Sequence, residues 1–429
     1  MSDSGNKLSP ISVWALAAGG MVGGGIYTVL GVVIAVSAQW AWLAFAFTGV
    51  IALCSAYSYV YLSNTFNEGG GAFDFLEEAN DDSLGGSLAW MLILGYVLTI
   101  SVYAYAFGHY VAFAFHGGGL LTRGLAAGIV AALIGLNLAG VGKLTKVEIA
   151  IVSVNLLVLL ALGVYGLTQW DVTRLTAGVQ PRPAWSGFIG GAAIFMAYEG
   201  FQLLSYEYDR IKDAQKNFMP TLMSAVVFVV VLYIVVALGA AVLGGAATLI
   251  DFKEIALSVT AREAFGETGV IVMTVAAGFA TAAAINSTLF STANLTKQIA
   301  GKGELPGWFN HTNHADVPDR SIIALGTLAG VLAVTGSLSA LVEAASLVFL
   351  ATFGIVNWLC WQKSDRRRWI PAVGIGFAAV TGVALLLRVA IGNPMAFGGL
   401  IVIVLLVVLG RPYLLQIMNT TNQADGKEG

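Results

Sequence analysis

An all-α membrane protein of twelve transmembrane helices is the fold class this sequence predicts, and three observations predict it. Hydrophobic residues fill 58% of the 429 positions and charged residues only 10%, with a mean hydropathy of +0.82, more than a water-soluble domain needs. No Asp, Glu, Lys or Arg occurs from Leu8 to Asn67, room for two helices of about 20 residues across a hydrocarbon core of about 30 Å. All nine prolines fall at or beside the ends of the apolar stretches, where loss of a backbone N–H does least harm to a helix.

Polar, Pro and Gly punctuation divides the chain into spans at roughly 11–37, 40–63, 87–115, 122–141, 147–168, 185–206, 219–243, 266–295, 321–336, 339–361, 369–391 and 396–415. The domain reading is a single transmembrane domain over 1–415 with a polar, disordered tail over 416–429. Twelve spans put both termini on one side of the cell membrane. If that side is the cytoplasm, only Arg123, Arg174, Arg182, Lys253, Arg262 and Arg388 of the 21 basic residues lie outside, as the positive-inside rule requires. Membrane lipid is therefore an expected partner. A net charge of −3 gives no footprint for nucleic acid, and none is expected. The two cysteines, Cys54 and Cys360, lie within apolar segments and read as buried thiols. No cofactor or metal is expected.

The first span carries five glycines between Gly19 and Gly25, although Gly costs about 1 kcal/mol against Ala inside a helix. Gly19/Gly23 and Gly20/Gly24 have the spacing of close helix packing. The run Gly23-Gly24-Gly25 followed by Ile26 goes further, because it strips side chains from one turn and bares its amides. Such a break survives in lipid only where it lines a cavity or holds a ligand, and a half-helix N-terminus suits a carboxylate. The sixth span is irregular as well, with Gly190-Gly191 and then Glu199-Gly200 in "FIGGAAIFMAYEGFQLLSYEYD". Spans one and six correspond if the chain repeats every five spans.

At this point the sequence resembles the amino acid–polyamine–organocation transporter superfamily, and within it the prokaryotic amino acid permeases. "GGGIYTVLG" (23–31) is similar to the family's Gly-Ser-Gly-Ile-Phe signature, with Gly24 for Ser and Tyr27 for Phe. "NEGGGAFDFLEEA" (67–79) resembles its Gly-Gly-x-Tyr loop, "LNLAGVGKLTKVE" (136–148) the approach to span five, and "FMAYEGFQLLSYEYDRIKDAQKNFMP" (195–220) its Ala-Tyr-x-Gly-Phe pattern. "NSTLFSTANLTKQIAGKGELP" (286–306) and "LVEAASLVFLATFGIVNWLCW" (341–361) resemble spans eight and ten.

The resemblance implies a five-plus-five inverted repeat, about 11–168 and 185–361, with discontinuous helices one and six and two extra C-terminal helices over 369–415. It also implies secondary active transport of an amino acid by alternating access. The amides around Gly23, Gly24, Gly25 and Ile26 would take the substrate carboxylate, and carbonyls near Phe195, Met196 and Tyr198 its ammonium. The family's aromatic outer gate falls at Met196, beside Phe195. Glu199 and Gln202 border the pocket.

Two coupling schemes are open, besides uncoupled exchange. Na⁺ would sit between carbonyls near Gly20 and Gly23 and the hydroxyls of Ser287, Thr288, Ser291 and Thr292 in span eight. A proton would ride on Glu199, an intramembrane acid. The family's proton-coupling lysine in span five aligns with Asn155, which cannot titrate, so lysine-based proton coupling at that site is disfavoured. His109, among Tyr103, Tyr105 and Tyr110, reads as a packing residue. The acids between 74 and 82 and the cluster Arg366-Arg367-Arg368 read as solvated or lipid-facing surface. Alternatives to an amino acid transporter are a sensor that binds without transport and a polyamine transporter. An enzyme is not expected, because no His/Cys/Asp cluster or Ser/His pair accompanies the spans.

Overall fold

In a computed structural model, which describes residues 7–67, 69–78, 82–140, 145–392, 394–411 and 413, the first predicted span is two helices. Pro10–Val22 (α1) starts on Ser9, whose hydroxyl accepts from the Ser12 amide, with Pro10 in the first turn where its missing N–H is harmless. Gly23 and Gly24 interrupt the helix, and Gly25–Ser37 (α2) resumes it. Then come Ala41–Phe66 (α3), a short helix Ala72–Glu78 (α4), Asp82–Ala114 (α5), Gly119–Leu138 (α6) and Thr145–Thr168 (α7).

The sixth span is broken more sharply. Trp185–Ala193 (α8) gives way at Ile194 to 3₁₀ turns over Phe195–Tyr198 and Phe201–Arg210, and the two halves bend by 65°. The remainder comprises Ala214–Gly244 (α9), Ala246–Asp251 (α10), Ala256–Gly301 (α11), Asp319–Thr335 (α12), Leu338–Lys363 (α13), Trp369–Gly392 (α14) and Pro394–Leu405 (α15), which runs into a π-helical turn over Leu406–Gly410. Among the described residues, eight helices are long and apolar enough to cross a membrane, or nine if the bent pair is one span. The expected tail over 416–429 lies outside the described residues, as does Lys143.

Three boundaries depart from expectation. Pro220 lies inside α9, which begins six residues earlier because Asp213 adopts a left-handed conformation and its carbonyl takes the Lys216 and Asn217 amides. The eighth span was expected at 266–295, but α11 covers 256–301 with a kink at Gly266, φ 62°; the charged stretch around Arg262, Glu263 and Glu267 hid its outer part. The segment after the second span, expected as an acidic loop, contains α4, which buries Phe73, Phe75 and Leu76 and turns Glu77 and Glu78 outward, while Asp74 faces inward to accept from Gly71 N–H and Gln298 Nε2.

Packing couples helices distant in sequence. α3, α13 and α14 meet at Asn357, which is fully buried. Its amide donates to Ser55 Oγ (2.9 Å) and Phe353 O (2.8 Å), and its carbonyl accepts from Ser58 Oγ (2.8 Å). Lys302 at the end of α11 pairs with Asp74 and Glu77 of α4, and Arg411 pairs with Glu304 at 2.6 Å. At this end of the molecule, Leu8 pairs with the stretch after the sixth span: its N–H reaches Arg210 O at 2.7 Å and its carbonyl accepts from Lys212 N–H at 3.0 Å. Cys54 and Cys360 are buried free thiols, and His109 stacks on Tyr105 while bonding its carbonyl at 2.8 Å.

Replacing Asn357 by Leu strands the buried Ser55 hydroxyl in an apolar interface, while Ser58 keeps Cys54 O as its acceptor at 3.0 Å. The expected loss is about 1–3 kcal/mol, measured as thermal unfolding of detergent-purified protein; unchanged stability would mean the hub contributes nothing.

Candidate functional site

The two breaks face each other. A side chain on Gly20 of α1 would meet the Gly200 carbonyl oxygen at 3.0 Å, so the two main chains touch with nothing between them. Gly200 has φ +120°, a region that only glycine enters without strain. Sequence and geometry agree here: any other residue at 200 would be both strained and in collision with Gly20.

Main-chain groups freed by the breaks are met by three side chains. The Tyr233 hydroxyl, from α9, lies 2.8 Å from Met21 O and 3.0 Å from Ala197 O, touching the carbonyl ends of both broken helices. Ser346 of α13 accepts from the Met196 amide at 3.1 Å and donates to Ala193 O at 2.9 Å. Gln202 clasps the bend from within: its carbonyl accepts from Gly200 N–H (2.8 Å), and its NH₂ donates to Glu199 Oε1 (3.1 Å) and lies 3.3 Å from Tyr96 Oη. The Met196 carbonyl accepts from Glu199 N–H, so Ala197 O is the acceptor that the break presents to Tyr233.

The residues singled out in the sequence fall into two groups. Gly24, Gly25, Ile26, Phe195, Met196, Tyr198, Glu199 and Gln202 are all buried at the crossing of the breaks. Gly24 is covered by the Tyr103 ring, and a Cβ on Gly25 would lie 2.5 Å from Tyr233 Oη and 2.7 Å from Ala197 O. Phe195 stacks edge-on against Phe353. The Tyr103 hydroxyl is buried there, facing the Glu199 carboxyl.

Gly20, Gly23, Asn155, Ser287, Thr288 and Ser291 form the second group. They line one cleft between α1, α7, α11 and the lower half of the sixth span, whose mouth carries Leu8, Glu148, Glu207 and Arg210. Asn155 accepts from Tyr27 Oη at 3.1 Å. Across the molecule Thr28, Thr48, Thr99, Ser101, Thr281 and Thr352 spend their hydroxyls on their own helix, as does Thr292, the usual habit in membrane helices. No hydrogen bond among the described residues engages the hydroxyls of Ser287, Thr288 or Ser291. The opposite end is closed: Gly31 of α2 lies directly beneath the backbone of Lys253, and Ser37 Oγ donates to Ser186 O at 2.7 Å.

Sequence reasoning missed Tyr233, Tyr103 and Ser346. Tyr233 carried a signal, being the single hydrogen-bonding side chain between Ser224 and Thr248.

The chain is similar to known proteins over most of its length. The model of the amino acid permease family matches residues 8–419. The inner membrane transport protein YbaT of Escherichia coli is 28% identical over 387 residues, covering 87% of this chain and 88% of its own. The vacuolar cationic amino acid transporter 4 of Arabidopsis thaliana is 24% identical, over 82% of this chain and 62% of its own. A crystal structure of MhsT in complex with L-phenylalanine shares the fold at a TM-score of 0.63 and 13% identity, over 87% of this chain and 97% of that one.

Two glycines with positive φ separate strain from contact. Gly266→Ala, with nothing within 4 Å of the new methyl, should cost about 1–3 kcal/mol from conformation alone. Gly200→Ala should cost clearly more, because its methyl also overlaps Gly20; equal unfolding temperatures for the two variants would contradict the crossing.

Proposed function

We infer the function from one premise: this chain belongs to the amino acid permease family, whose members are membrane transporters rather than enzymes. We propose that it is a secondary transporter that carries amino acids across the cell membrane by alternating access. In this reading α1 and α2 form one interrupted span and α8 with its 3₁₀ turns another. The twelve spans are arranged as a five-plus-five inverted repeat with two further helices, and both termini are cytoplasmic.

The meeting of the two breaks is the observation that carries the proposal. Of the expected amides around Gly23, Gly24, Gly25 and Ile26, that of Gly23 is spent on Gly19 O at 2.7 Å; those of Gly24, Gly25 and Ile26, at the positive end of the α2 dipole, take the carboxylate. Carbonyls of the sixth-span break, near Phe195, Met196 and Tyr198 and including Ala197 O, take the ammonium in competition with the Tyr233 hydroxyl. Glu199 and Gln202 hold that break in shape. Neutral amino acids are the substrate class, because Glu199 is the single charged group at the crossing among the described residues and it is already bonded to Gln202. With its cleft open at the Leu8 end and Lys253 sealing the other, the molecule is in an inward-open state.

Coupling rests on the second group. Three uncommitted hydroxyls and the main chain around Gly20 and Gly23 supply hard oxygen ligands of the kind a small alkali cation takes, so we assign Na⁺ to this cleft. Asn155, bonded to Tyr27, replaces a titratable group with a neutral hydrogen bond.

Uptake into sealed proteoliposomes tests both parts, scanning amino acids and putrescine with a sodium gradient, a proton gradient or neither. We expect neutral amino acids to accumulate with sodium, and the combined Ser287→Ala, Thr288→Ala and Ser291→Ala variant to need at least about tenfold more sodium. Accumulation driven by protons alone and untouched by that variant would move coupling to Glu199. Uptake of putrescine without amino acids, or binding with no transport, would overturn the transporter of amino acids.

A further inference from the structure

Four basic residues at the Leu8 end are held in ion pairs. Lys302 is held by Asp74 and Glu77, Arg411 by Glu304, Arg210 by Glu207, and Lys297 lies 3.6 Å from Asp316. Lys7, Lys212, Lys216 and Arg320 form no ion pair among the described residues either, but the turn joining α13 to α14 concentrates four bases within residues 363–368. Lys363, Arg366, Arg367 and Arg368 are all exposed, and none of them forms an ion pair among the described residues.

The turn is built, not loose. Ser364 at its centre is fully buried. Its amide donates to Cys360 O (2.8 Å), its hydroxyl donates to Arg366 O (2.5 Å), and its carbonyl accepts from Arg368 Nε. Arg367 adopts φ +57°, uncommon for a non-glycine residue, and its carbonyl takes the Ile370 amide at 3.0 Å. These bonds consume the backbone and one nitrogen of Arg368. They leave the Arg366 and Arg367 guanidinium groups and the Lys363 ammonium projecting from a fixed frame.

The surroundings identify the ligand. Trp361 and Trp369 flank the cluster at 42% and 67% exposure, the amphipathic rings that sit at headgroup level in membrane proteins. Beyond Trp369, α14 exposes Val380, Val383 and Leu387, a face that meets acyl chains. A fixed cationic turn above an apolar, Trp-edged helix matches one molecule along its length: phosphate at the guanidinium groups and tails along α14. We propose that the α13–α14 turn binds the phosphate headgroup of an anionic phospholipid. Guanidinium groups suit phosphate by their planar donor geometry, and juxtamembrane bases attract anionic lipid. Free phosphate shares the headgroup chemistry but would leave the Trp and α14 surface unused.

The test is native mass spectrometry of the detergent-purified full chain. It is titrated with phosphatidylglycerol, with phosphatidylcholine of the same acyl chains, and with inorganic phosphate. Wild type should retain phosphatidylglycerol in preference to phosphatidylcholine, and millimolar phosphate should not displace it. Arg366→Gln/Arg367→Gln should weaken retention roughly fivefold per arginine, while Lys212→Gln/Lys216→Gln at the same end leaves it unchanged. If the first variant unfolds, Lys363→Gln/Arg366→Gln, which spares the left-handed position, replaces it with the same expectation. Equal retention of the two lipids, displacement by phosphate, or full retention by the folded variant would each overturn the lipid site.

Discussion

Inside a bilayer a backbone N–H or C=O has no water to fall back on, and leaving one unpaired costs several kcal/mol. Everything about the centre of this molecule follows from interrupting two helices under that constraint. The interruptions at Gly23–Gly24 and at Ile194–Gly200 release main-chain groups, and the fold answers with Tyr233, Ser346 and Gln202, each contributed by a different helical segment.

Because one hydroxyl reaches the carbonyls of both breaks, the breaks are a single device. The contact of Gly20 with Gly200 brings the two main chains together, and the pairing of Leu8 with Arg210 and Lys212 ties the same two spans at their ends. A rigid-body movement that separates them must exchange the Tyr233 bonds for others. A zwitterion, with an acceptor at one end and donors at the other, is the simplest replacement.

Much of this was legible in the sequence because its cause is local. Gly23–Gly25 and Glu199-Gly200 stand out as residues that a continuous span would avoid, and the structure breaks both helices there. Gly20, Gly23, Asn155, Ser287, Thr288 and Ser291 come from three separate helices and meet at one cleft. What stayed hidden is non-local. The isolation of Tyr233 in an apolar helix marks it as needing a partner, but neither it nor Ser346 shows in sequence that the partner is a break in another helix, and no local rule distinguishes Ser287, whose hydroxyl has no bond among the described residues, from Thr292, which bonds its own helix. Pro220 misled for a related reason: its penalty marks a boundary only when nothing anchors the preceding turn, and Asp213 anchors this one.

Amide hydrogen exchange with and without ligand tests the central claim most directly. The account predicts that a transported amino acid slows exchange at residues 23–26 and 196–200 together, and that the amine lacking its carboxylate fails to protect 23–26. Protection confined to other helices, or equal protection of 23–26 by that amine, would contradict the claim that the two breaks grip the substrate through their main chains.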